Sequence, residues 1–91
     1  MIVYHRTSTE NAELIIKSGI MKSCEYALFF GNEKQGYIGG YGKSVISFEI
    51  PEKLLEVDDE FETGEKHFRL PLTKSFCNVS QFLPKMEENT K

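Results

Sequence analysis

The chain has few of the features that would place it quickly. Its two cysteines, Cys24 and Cys77, stand far apart and match no metal-ligand spacing. They read as free thiols, as expected of a reducing compartment. No apolar run approaches the roughly 20 residues that a membrane span requires. No basic-then-apolar leader opens the sequence, so a cytoplasmic protein without a secretory signal is the expectation. Surplus positive charge is missing too: 11 Lys and Arg face 14 Asp and Glu, for a formal net charge of −3, and the basic residues are scattered. A nucleic-acid backbone or an anionic membrane therefore finds no electrostatic footprint. No internal repeat and no linker divides the 91 residues, so one domain is expected. A domain of this size buries only about 60–65% of its unfolded surface, and its core is modest.

What is present begins with residues 2–19, IVYHRTSTENAELIIKSG. Ile2, Val3 and Tyr4 suit a half-buried strand. Thr7 and Glu10 fit a capping box, in which a hydroxyl and a carboxylate satisfy free N–H groups at a helix start. Ala12, Ile15 and Ile16 then fall at helical spacing, and Gly19 supplies the stop. A polar elbow between a strand and a helix N-terminus is a good place for a site. Residues 20–27 show no clear period. Residues 28–30 read as a brief buried strand that Gly31 and Asn32 end, and residues 33–38 as one helical turn. Residues 36–42, GYIGGYG, hold four glycines and two tyrosines and read as a loop suited to close backbone approach. Residues 44–50, SVISFEI, alternate with a period of two. Pro51 ends that strand and opens a short turn. Residues 56–59 read as a short or edge strand, 60–66 as a solvated turn, and 67–72 as a strand that Pro71 pushes towards an edge or a strand end. Residues 76–83 fit either a short amphipathic helix or a last strand with its turn. Residues 86–91 read as a frayed polar tail.

Four groups of residues could carry chemistry. His5 and Thr7 share one side of a strand and could both hydrogen-bond one ligand, such as a ribose or a carboxamide. A surface histidine beside a capping threonine is the structural alternative. The 36–42 loop is neither a P-loop nor a dinucleotide fingerprint, because the required spacings are missing. It is either an exposed hairpin loop or an aromatic shelf for a base or nicotinamide ring. Asp58, Asp59, Glu60, Glu62 and Glu65 could bind a metal or act as a base, or form a solvated acidic turn. Glu65, His67 and Arg69 lie on one face if their strand begins near Glu65. They could then bind an anion or polarise a ribose hydroxyl, or simply make a polar strand face.

Taken in order, these segments resemble the compact ADP-ribosyltransferase fold, its poly(ADP-ribose)-polymerase-like branch in particular. The resemblance covers roughly residues 2–83 and rests on the order of short motifs. His5-Arg6-Thr7 resembles that family's His-Gly-Thr/Ser segment, whose His and hydroxyl hold the nicotinamide ribose and amide. The family's stacking tyrosine falls near Phe29 or Phe30, with Tyr37 or Tyr41 as nearby substitutes. Its late-strand glutamate falls at His67, with Glu65 two residues earlier. Three departures stand out. Arg6 replaces a small glycine and narrows the pocket or adds an anion contact. A phenylalanine stacks without donating a hydrogen bond. A histidine removes the carboxylate that orients the ribose hydroxyl. The chain also resembles small bacterial and phage proteins that share a Tyr-His-Arg-Thr start and a late Gly-x-x-aromatic-Arg strand.

The resemblance implies an α+β fold, a small bent and mostly antiparallel sheet with one main N-terminal helix. Residues 1–85 would be its single domain and 86–91 its tail. It implies NAD as the cofactor, with transfer of ADP-ribose or cleavage of the nicotinamide–ribose bond. His5, Arg6, Thr7, Phe30, Tyr37, Tyr41 and Arg69 would bind the cofactor, with Glu65 and His67 as the catalytic pair. The alternative is a non-catalytic acidic module of the same fold, a phage-encoded inhibitor that binds a nucleotide-like ligand or a protein of a bacterial defence system. Neither version needs direct nucleic-acid or membrane contact.

Overall fold

A computed structural model describes residues 1–35 and 41–87. The chain runs through β1 (Ile2–Thr7), α1 (Thr9–Ser18), β2 (Ile20–Lys22), β3 (Ala27–Gly31) and β4 (Ser44–Glu49). It continues through β5 (Glu56–Glu60), β6 (Lys66–Pro71), β7 (Phe76–Asn78) and β8 (Lys85–Met86). Six strands form one sheet in the order β5-β6-β3-β1-β4-β8, and β2 pairs with β7 separately. Every pairing among the described residues is antiparallel. The α+β expectation, one helix on a mostly antiparallel sheet, agrees with this architecture.

Local chemistry sets the helix boundaries. Ser8, not Thr7, is the N-cap: its hydroxyl accepts from the Asn11 N–H at 3.2 Å. Thr7 remains in β1, and its hydroxyl accepts instead from Asn11 Nδ2 at 2.9 Å. The N-cap is therefore displaced by one residue, because β1 extends to Thr7 before the chain turns, and the expected Thr7–Glu10 capping box does not form: three residues after Ser8 stands Asn11, whose side chain donates to Thr7. Glu10 still lies in the first turn, where a negative charge favours the helix dipole. Gly19 ends α1 in the left-handed region, at φ 71°, and its N–H reaches the Ile15 carbonyl. Ala12 and Ile15 face the core, whereas Ile16 is exposed.

The strand registers assign side chains to the two faces of the sheet. Val3 lies opposite Phe48 and His5 opposite Ile46, while Phe30 meets Phe68 and Leu28 meets Leu70. That face, closed by Ala12, Ile15, Met21, Val79 and Phe82, is the hydrophobic core. The other face carries Tyr4 opposite Ser47 and Arg6 opposite Val45. It also carries Phe29 opposite Arg69, and Gly31 opposite His67. β4 departs from the alternation expected of it: residues 44–48 are buried on both faces. Its second face is covered because the Ser47 hydroxyl bonds Glu87 at 2.8 Å, and Glu87 pairs with Lys34 at 3.0 Å.

The structure corrects some further expectations and decides between the alternatives of another. Residues 20–27 are not irregular throughout, since Ile20, Met21 and Lys22 pair with Asn78, Cys77 and Phe76. Residues 76–83 form a strand and then a 3-10 turn (Val79–Phe82), the second of the two alternatives. Met86 and Glu87 belong to the sheet rather than to a frayed tail: Met86 pairs with Ile46, and the Glu87 N–H reaches the Val45 carbonyl. Residues 33–35 bend without completing a helical turn, and the remainder of that expected turn lies outside the described residues.

Candidate functional site

The site begins where the sheet opens. β1 and β3 share a single bridge, Tyr4 with Gly31, among the described residues. Past that bridge the two strands part, and a side chain crosses the opening: His5 Nδ1 lies 3.2 Å from the Phe29 carbonyl. A carbonyl only accepts, so Nδ1 carries the hydrogen and Nε2 is left as an acceptor. Burial pushes the His5 pKa below its usual value, and the bond to Phe29 offsets part of that shift. His5 is therefore a neutral imidazole at physiological pH.

A cleft of about 370 Å³ lies at this opening. It is lined by Tyr4, His5, Arg6, Glu25, Phe29, Phe30, Tyr41, Asp58 and His67. Phe30 is only 2% exposed and packs edge-on against Phe48 at 5.4 Å, so it belongs to the core. The ring available to a ligand is that of Phe29, 40% exposed, together with Tyr41, 71% exposed. The alternation of β3 decides this, with Leu28 and Phe30 facing in and Phe29 facing out.

His67 is fixed from behind. Its Nε2 lies 3.2 Å from Glu65 Oε2. A carboxylate accepts only, so Nε2 carries the hydrogen. Phe61 meets the His67 ring edge-on at 5.0 Å. Glu65 is just 5% exposed. It stands behind His67 as an orienting group and not on the cleft wall.

Arg6 has an architectural part. It is buried, and its guanidinium donates to the Lys34 carbonyl at 2.7 Å and to the Gly42 carbonyl at 3.2 Å. It thus ties Lys34 and Gly42 to β1. Gly42 fits tightly there: a Cβ on it would come within 2.3 Å of the Thr7 carbonyl group, at φ +155°. Only glycine permits this approach.

The expected residues are thus partly gathered. His5, Arg6, Tyr41 and His67 share the cleft, and Glu65 touches it through His67. Thr7 bonds Asn11, Phe30 is core, and Tyr37 lies outside the described residues. Arg69 is bound to Glu56 across the β5–β6 pair rather than to Glu65. Among the described residues, no group of three or more metal-ligating side chains is assembled, and no helix is long and apolar enough to cross a membrane.

No family model, curated protein or solved structure matches the chain.

Two lining residues, Tyr4 and Glu25, escaped the sequence reading. Tyr4 carried a usable signal, since it is two residues from Arg6 in a strand. Glu25 carried none. Asp58 was visible only as part of an acidic run. A bulge between Val57 and Asp59 makes it the extra residue beside His67. A second groove of about 580 Å³ shares His5 and Phe29 with the cleft and runs along Leu14, Ile20 and Met21.

Proposed function

We propose that the cleft binds the nicotinamide–ribose end of NAD, and that the protein is an ADP-ribosyltransferase-like NAD-binding module. The observation that carries this reading is the convergence of His5, Phe29, Tyr41 and His67 on one cleft where β1 and β3 part. The residues fit such a ligand. His5 offers a neutral acceptor nitrogen suited to a ribose hydroxyl. Phe29 and Tyr41 offer aromatic surface for a flat ring. When bound, NAD supplies a glycosidic bond whose cleavage builds positive charge on the ribose. His67, oriented by Glu65, would accept a proton from a ribose hydroxyl or an incoming acceptor. The Glu65 carboxylate would stabilise the imidazolium so formed.

One observation favours the second reading, a non-catalytic binding module for a protein partner. Glu65 is buried behind His67, so the pair presents an imidazole and no carboxylate to the cleft. Calorimetry with NAD, on wild type and on Tyr41→Ala, tests the proposal. Tyr41 is exposed, so its loss leaves the core intact. Saturable heat from wild type, weakened in the variant by about 1 kcal/mol, supports NAD binding at the cleft. No heat at about millimolar NAD rejects it, since binding weaker than about 4 kcal/mol has no use for such a site.

A further inference from the structure

The walls of the cleft also specify charge. Two carboxylates, Glu25 and Asp58, stand on its lining beside the rings of Phe29 and Tyr41. The cationic side chain on the same wall, Arg6, donates to the carbonyls of Lys34 and Gly42. His5 is neutral because it is buried, and His67 is backed by a further carboxylate, Glu65. Arg69, opposite Phe29 and within the field of Asp58, is paired with Glu56. Counting Glu25, Asp58, Glu65 and Glu56 against Arg6 and Arg69, the local balance is negative, and an anionic group such as a phosphate is disfavoured there.

The backbone holds both acids at the cleft. Asp58 is the extra residue of the bulge in β5, so Asp58 and Asp59 together oppose His67. Bulges re-aim side chains in this way. Glu25 sits in a turn fixed at both ends: its N–H reaches the Ser23 hydroxyl at 3.1 Å, and the next carbonyl, of Tyr26, accepts from the Leu72 N–H at 2.8 Å. Tyr26 itself takes a left-handed conformation, φ 56°, which non-glycine residues adopt only where the surroundings impose it.

We infer that this cleft receives a planar organic cation, the guanidinium of an arginine presented by a partner protein. A guanidinium matches both elements of the wall. Its flat face stacks on aromatic rings, and its edge donates paired hydrogen bonds to carboxylates. A lysine ammonium is a compact, strongly hydrated point charge that uses the aromatic surface less well. The cleft volume of about 370 Å³ accommodates one such side chain. The inference needs the cleft as a site but does not need NAD.

An NMR titration of the isotope-labelled protein with agmatine, and with butylamine as a non-planar ammonium of similar length, tests this. Agmatine is expected to shift the amides of Glu25, Phe29, Tyr41 and Asp58 saturably, with butylamine at least about fivefold weaker. Asp58→Asn should weaken agmatine about fivefold, the scale of one exposed ion pair, and about 0.5 M salt should weaken the wild type similarly. Equal effects of the two amines, or shifts spread over the acidic surface without saturation, would overturn the inference. The same labelled protein titrated with NAD separates the two claims. Agmatine shifts with silent NAD reject only NAD binding, and NAD shifts with silent agmatine reject only the guanidinium.

Discussion

Replacing Gly42 with alanine probes the junction that shapes the cleft. The new Cβ would lie 2.3 Å from both the carbonyl carbon and oxygen of Thr7, and 2.8 Å from the Ser8 nitrogen. Ordinary contact begins near 3.4 Å, so the segment must move by about an ångström. The opposing atoms are backbone at the end of β1 and the helix cap, with no flexible side chain to swing aside. Movement would also lengthen the Arg6 bond to the Gly42 carbonyl, now 3.2 Å. Together these effects should cost about 3–5 kcal/mol, the range of overpacking combined with loss of a buried hydrogen bond to a charged group. A domain of this size has roughly 5 kcal/mol to lose. Gly64 is the matched control, because it too has positive φ, at +93°, yet nothing lies within 4 Å of its Cβ position. Gly64→Ala should cost only the backbone strain, about 1 kcal/mol. Urea denaturation of both variants measures the difference. Equal midpoints would refute the packing argument at Gly42.

Other outcomes follow from the same contacts. The His5 pKa is lowered in the folded protein, so the unfolded chain takes up its proton first as pH falls. Stability should therefore be full above the ordinary histidine pKa near 6.5 and decline as pH drops below it, and His5→Gln should remove that part of the thermal-melting pH profile. The Arg69–Glu56 pair is exposed on both sides, so a double-mutant cycle in urea should return little or no coupling. Cys24 is exposed, whereas burial raises the Cys77 thiol pKa. A disulfide exchange reagent should accordingly modify Cys24 first and Cys77 slowly, as read by mass spectrometry at successive times.

How much of this was legible in the sequence depended on the range of the interaction. Gly19 stopped the helix because a local backbone rule governs that position. β3 followed from a short apolar run and β6 from alternation. Ser8 took the cap from Thr7 because cross-strand pairing with Ser44 kept Thr7 in β1, a contact that residue spacing near the helix does not reveal. β2 and β7 are three-residue strands that pair only with each other, too short for a period to emerge. At the site, His5, Arg6, Tyr41 and His67 were visible as residue types near turns. Phe29 against Phe30 was a question of register, which one residue reverses. Asp58 entered through a bulge and Glu25 through a left-handed turn, both set by partners distant in sequence. Arg6 was read as a pocket residue; it lines the cleft and also donates to the carbonyls of Lys34 and Gly42, contacts that spacing does not reveal.

The central claim is that the parting of β1 and β3 creates a ligand site around His5, and amide NMR shifts on adding NAD test it most directly. The account predicts saturable shifts concentrated at His5, Phe29, Tyr41 and His67, with the β2–β7 pair unmoved. Absence of shifts at about millimolar NAD, or shifts confined to residues away from the cleft, would contradict it.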